Sequence, residues 1–240
     1  MFLVIATATA AFAFDGSLHA GQNLEIRNLA GRVRVRNGSG DKLAVRAVRT
    51  SEHGDPSKVL VRVEEGPDGT VVCVRYPPNT DRSCGDRTEY RSGERDSNDV
   101  SVNFDVTVPR GVNVNAATVS GAVDVDTDAR ATASAVSGSV TITALEVPHA
   151  STVSGPVHAT ARGTSGDITV SSVSGNVRVS LPPGSGAHVS ARSLSGRISA
   201  AGLPVERPRY GPGARANGAL GTGGRSVTAS TVSGSVTIDR

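Results

Sequence analysis

This 240-residue chain predicts an all-β fold: a parallel β-solenoid or β-helix with coils of about 17–21 residues, preceded by a partly antiparallel β region. Three observations predict it. The phrase Ser-Gly returns at Gly121, Gly138, Gly155, Gly166, Gly175, Gly196 and Gly234, with a cousin lacking the serine at Gly31. Apolar residues recur at fixed offsets from each glycine: Val, Ile or Ala at +2 and +4, Ala or Val at −5, and Val or Leu at −2 except where Thr164 intrudes. Composition is the third. Aromatics are 3% and Trp is absent, so the core must be Val, Ala, Ile and Leu, which suit thin, closely stacked sheets.

Successive glycines are 17, 17, 11, 9, 21 and 38 residues apart; 11 and 9 together make one period, and 38 makes two. Stacking such coils at ~4.8 Å places like positions over one another. The expected result is interior rows at +2 and +4, further walls from −2 and −5, and a serine ladder at −1. The serine hydroxyls would bond the backbone at their own turn or the next coil. Glycine would take a corner that tolerates no Cβ, and the uneven offsets imply corners or bulges rather than one continuous strand.

In chain order, residues 1–13 read as an export signal, apolar and small, with Ala11-Phe12-Ala13 as the cleavage pattern. The alternative is a first buried strand; thirteen residues are too few to span a bilayer. No Cys beside the cleavage site indicates a lipid, and no hydrophobic tail follows the last repeat, so neither points to a transmembrane anchor. The expected location is periplasmic or secreted.

Residues 14–110 form an N-terminal β region. Leu24 to Asn37 alternates, with Ile26, Leu29, Val33 and Val35 matching the repeat around Gly31. Strands are expected at 43–48, 59–64 and 70–76, the last two joined by the hairpin signal Glu65-Gly66-Pro67-Asp68-Gly69. Residues 77–99 are a polar, charge-mixed loop with Tyr90 as its only aromatic. In an oxidising compartment Cys73 and Cys84 read as a disulfide tying this loop down, with two free thiols as the alternative. A metal site would need more ligands than the stretch offers. Pattern resumes at Val100–Val108, and residues 111–240 carry the repeat, continuous with the region before it. Between Gly196 and Gly234 lies a polar loop or hairpin, 203–225, and residues 226–239 close the array.

The early Ile26-Arg27-Asn28-Leu29-Ala30-Gly31-Arg32-Val33 copy, Val-x-Val-Pro at Val106 to Pro109, the serial Ser-Gly repeats and the closing Thr231-Val232-Ser233-Gly234-Ser235-Val236-Thr237-Ile238 together resemble the bacterial "putative adhesin" family of exported β-solenoid domains. The resemblance covers about Leu24 to Arg240. It implies a β-helical fold at the cell envelope and brings no catalytic residues.

The residues themselves name no reaction. The outward +3 row of Asp124, Thr141, His158, Thr169, Arg178, Ser199 and Thr237 holds one carboxylate, whereas a polysaccharide lyase or hydrolase needs clustered acids or a base beside cations. Asp124-Val125-Asp126-Thr127-Asp128 lacks the Gly and Glu of a calcium loop and reads as a strand with Val inside. No catalytic residue, cofactor or metal is expected. A net charge of +3 with interleaved signs gives nucleic acid little support as a partner. Arg32, Arg34 and Arg36 share one face and make a possible surface for an anionic ligand; an ordinary solvated strand face is the alternative. The expectation is therefore an exported, non-catalytic binding or scaffolding module, its partner an envelope glycan, a lipid headgroup or a protein, contacted through loops 77–99 and 203–225. The alternatives are a carbohydrate-active β-helix enzyme and self-association through the solenoid ends.

Overall fold

Each repeat places a β-branched run on either side of a glycine, so strand, corner and strand follow one another along the chain. A computed structural model describes residues 8–85, 99–209, 211–222 and 224–240. Within these residues the N-terminal region forms β1 (Ala8–Ser17), β2 (Asn23–Arg27), β3 (Val33–Asn37), β4 (Lys42–Ser51), β5 (Leu60–Gly66), β6 (Gly69–Arg75) and β7 (Ser101–Val108). The array continues with β8 (Asn113–Ser120), β9 (Val123–Asp126), β10 (Arg130–Ser137), β11 (Val140–Ala144), β12 (Glu146–Ser154) and β13 (Val157–Ala161). It ends with β14 (Ile168–Ser174), β15 (Val177–Ser180), β16 (Ala187–Ser195), β17 (Ile198–Ala200), β18 (Ala214–Leu220), β19 (Arg225–Ser233) and β20 (Val236–Asp239).

Two ten-stranded sheets stack face to face. The front sheet runs β1-β4-β7-β3-β9-β11-β13-β15-β20-β17, and the back sheet β18-β16-β19-β14-β12-β10-β8-β2-β6-β5. A coil passes through the back sheet, turns at its glycine and returns through the front sheet, as β10 does into β11 through Gly138. Neighbouring coils pair in parallel. The inner faces merge into one core in which Ile26, Val125, Ile142 and Ile238 are fully buried. Each such side chain contributes roughly 1.5–3 kcal/mol.

The corner glycines form a column in which each lies under the carbonyl of its neighbour. A Cβ on Gly138, at φ +146°, would fall inside the Gly121 carbonyl oxygen. Gly175 has no such left-handed φ, yet a Cβ there would overlap the Gly155 carbonyl in the same way. Close approach of stacked backbones, more than the turn itself, is what demands glycine. Gly31, Gly121, Gly155, Gly196 and Gly234 share the column, but Gly166 does not: a Cβ there would meet only the Glu146 side chain. Gly166 sits in the loop before β14, so its copy of the phrase is accidental, and one full coil separates Gly155 from Gly175.

Three further expectations change. The −2 residues do not line an inner wall. Val119, Val136, Val153, Val173, Leu194 and Val232 are 44–50% exposed. Strand pleat explains it: with −5 turned inward, −3 also turns inward and −2 must face out. The −1 serines contribute a backbone carbonyl, not the hydroxyl, as in Gly138 N–H to Ser154 O at 2.8 Å. The hydroxyl bond to the next coil comes from −3: Thr152 Oγ1 donates to Gly138 O at 3.0 Å, Ser172 Oγ to Gly155 O at 3.0 Å and Thr231 Oγ1 to Gly175 O at 2.9 Å.

Nor do the coils stack in chain order. The last coil, β19 and β20, inserts between β14/β15 and β16/β17. Arg225 holds it there, donating to the carbonyl oxygens of Gly163 and Ser165, while Asp167 Oδ1 accepts from Ser226 N at 2.8 Å. Residues 203–225, expected as a polar loop or hairpin, include β18, which pairs antiparallel with β16 at the sheet edge. The other end is antiparallel too: β5–β6 form the predicted hairpin, and β1 pairs with β4 over ten residues from Ala8 to Ser17. That strand crosses the expected cleavage point, with Phe12 and Phe14 packed against the core.

Candidate binding face

Alternation along β3 turns Val33 and Val35 into the core and leaves Arg32, Arg34 and Arg36 on the outer front sheet, as expected. What the sequence did not reveal is their company. Parallel register sets Arg34 beside Asp124 of β9 on one side and Asp105 of β7 on the other, and Asp105 in turn lies beside Arg46 of β4. Across four neighbouring strands the row reads Arg46, Asp105, Arg34, Asp124.

Contacts follow the register. Asp124 Oδ2 lies 2.9 Å from Arg36, 3.3 Å from Arg32 and 3.8 Å from Arg34. Asp126 lies 3.6 Å from Arg36 and 2.7 Å from Arg162 of the loop after β13. Arg46 reaches Asp15 at 2.7 Å. The strip is thus a lattice of half-exposed ion pairs, each contributing little stability at ~0–1 kcal/mol. Arginine outnumbers carboxylate where three guanidiniums converge on Asp124. Arg34 Nε is shielded from solvent and makes no hydrogen bond, its nearest acceptor being Asp124 at 3.8 Å. Between β3 and β4 a shallow groove is lined by Arg32, Arg34, Arg46, Val48, Asn103 and Asp105. It has the donors to take a carboxylate, sulfate or phosphate group. Arg46, Asn103 and Asp105 were not singled out in the sequence because they come from other strands, 12 to 71 residues from Arg34.

Cys73 and Cys84 form the expected disulfide, with Cα atoms 5.7 Å apart. Arg27 donates to Cys84 O at 2.7 Å, and Cys84 N donates to Glu64 at 2.7 Å, so the first half of loop 77–99 is fastened to β2 and β5. Residues 86–98, including Tyr90, lie outside the described residues. At the far end of that loop Asp99 accepts from the Ser51 hydroxyl and from Gly54 N, His53 N and Glu52 N at 2.7–3.0 Å. These bonds hold its carboxyl well below the usual range, the Ser51 bond most.

The Asp124–Asp128 stretch has Val125 buried and Asp124 and Asp126 outward, engaged by arginine. Among the described residues no group of three or more His, Cys, Asp or Glu is placed to hold a metal, and no helix is long and apolar enough to cross a membrane.

A two-sheeted β-solenoid with a glycine column, antiparallel end strands and an arginine-rich outer face defines the class of protein. The chain belongs to the Toastrack DUF4097 family, whose profile matches residues 19–239. No curated protein matches it. Among solved structures it is similar to a "putative cell adhesion protein" from Clostridium sporogenes, at 11% identity and a TM-score of 0.49, covering 96% of this chain and 99% of that one. It is also similar to a "putative adhesin" from Bacteroides fragilis, at 8% identity and a TM-score of 0.33, covering 95% and 97%.

Proposed function

We propose that this chain is an exported, non-catalytic, adhesin-type binding module that takes anionic groups of the cell envelope at the front-sheet groove. The observation that carries the reading is the arginine excess around Asp124, with Arg32, Arg34 and Arg46 lining one groove. Three guanidiniums on a rigid sheet are pre-positioned, so a bound anion orders little that is not already ordered. Glycan carboxylates or sulfates and lipid phosphates share this chemistry.

The test is binding of the exported protein to an array of anionic and neutral glycans, and to vesicles with and without anionic lipid, at two salt concentrations. Salt-sensitive binding to one anionic class is expected, lost in Arg34→Gln/Arg46→Gln. Equal binding by that variant, or no binding to either class, would overturn the reading, as would turnover of any polysaccharide. Export rests on the leader expectation and on the disulfide, which suits an oxidising compartment. N-terminal sequencing of exported protein should begin at Phe14, leaving four residues of β1 on β4. A chain that retains Ala8–Ala13 would make β1 a permanent edge strand and remove the leader argument.

A further inference from the structure

The back sheet presents a different surface. Leu194, Val232, Val173, Val153, Val136 and Val119 occupy adjacent strands β16, β19, β14, β12, β10 and β8 in that order, one rung per coil. They are six of the nine large apolar side chains exposed among the described residues, and the six make one line. A scattered exposed valine needs no explanation; a line repeated in six successive coils does.

Beside the line, the same strands carry outward rows made mostly of Ser, Thr and Asn. One row is Arg192, Ser230, Ser171, Ser151, Ser134 and Ala117; the next is Ser190, Thr228, Thr169, His149, Thr132 and Asn115. Arg192, at one end, is the sole Lys, Arg, Asp or Glu in these three rows of a chain that is 20% charged. Depletion of charge, rather than bulk hydrophobicity, is what marks the core of a protein interface.

We infer that this face joins two copies of the chain, back sheet to back sheet. Four arguments favour a second copy over other occupants. The rows contain no aromatic platform for a sugar ring and almost no cation for a phosphate, which separates this surface from the front groove. The valine line alone is too narrow for a stable interface, but the whole patch is not: six strands at ~4.8 Å spacing and about seven residues of strand length give a flat area about 24 Å by 23 Å, roughly 550 Å² before side-chain relief is counted, close to the ~600 Å² per partner at the lower end of specific interfaces. A two-fold axis parallel to the strands lays valine on valine and serine on serine with the stacking order reversed, so the patch is self-complementary. With the axis between β12 and β14, Val153 faces the partner's Val173, and Arg192 falls at the rim.

The inference is independent of the front-groove reading, and its test uses separate residues. Sedimentation velocity of the exported chain over a concentration series should give a dimer at micromolar concentration. Val153→Asp/Val173→Asp, which buries like charges against each other, should weaken association by at least ~100-fold, with the circular dichroism of the folded chain retained and the melting temperature lowered only by the lost dimer stabilisation and the repulsion between the two neighbouring aspartates. Val153→Thr should remain dimeric. A wild-type chain that stays monomeric at high concentration, or a dimer that survives the double aspartate variant, overturns the inference. So does a dimer abolished by Arg34→Gln/Arg46→Gln, which would place the contact on the front sheet.

Discussion

Substituting Gly138 by alanine tests the stacking of the corner column directly. Two costs meet at this residue. Its φ of +146° is one that a residue with a Cβ rarely adopts, at a cost of about 1–3 kcal/mol. The new methyl would also collide with the Gly121 carbonyl, which stacked backbone holds in place, adding a further ~1–3 kcal/mol of overpacking. About 2–6 kcal/mol is a large part of a typical stability of roughly 5–15 kcal/mol. For a chain of this size it corresponds to about 5–20 °C in melting temperature. Two companion variants separate the terms. Gly184 has φ +76° and no atom within 4 Å of a Cβ, so Gly184→Ala bears the conformational cost alone. Gly175 lacks the left-handed φ but would strike the Gly155 carbonyl, so Gly175→Ala bears the contact cost alone. Thermal melts followed by circular dichroism should rank Gly138→Ala as the most destabilised. If Gly175→Ala melts with the wild type, close approach of the coils is not the reason for glycine at the corner.

Acid should loosen the Ser51–Gly54 turn. The Asp99 carboxyl is depressed in the folded chain by the Ser51 hydroxyl and then by the Gly54, His53 and Glu52 amides, so its stabilisation is complete above the ordinary carboxylate range near pH 4 and is lost as pH falls below it. Asp99→Asn should reduce the acid dependence of the melting temperature below pH 4, and an unaltered acid limb would refute the assignment. Reducing the Cys73–Cys84 bridge, whose partners are 11 residues apart, should cost about 3 kcal/mol by loop closure. A melt identical with and without reductant would show that the bonds from Arg27 and Glu64 suffice to hold the loop.

Positions that must repeat were readable in the chain. The column glycines and the +2, +4 and −5 apolar rows recur because stacked coils impose the same sterics on every rung, and identity at each rung is visible as periodicity. The β5–β6 hairpin was readable because Gly66-Pro67-Asp68-Gly69 is local turn chemistry. The Ser165-Gly166 copy misled because two residues can match a motif while lying in a loop, and only its missing neighbour in the column reveals this.

Other features were decided by the tertiary structure. Period alone does not tell whether −2 faces in or out; the −3 hydroxyls settle it by reaching the neighbouring glycine carbonyl, which sends the valines outward. Coil order was hidden for a related reason: Val-Ser-Gly rungs are nearly interchangeable, so β14 could stack on β16 or β19 with equal local fit. Arg225 and Asp167, 58 residues apart in sequence, select β19. The arginine strip was legible as a face but not as a lattice, because Asp105 and Asp124 reach it only through strand register. Sequence by itself thus determined the repeating unit, since every coil obeys the same local constraint. Tertiary structure decided the stacking order, the partners of each charge and the side of the sheet left open, because these depend on which of several equivalent rungs meet.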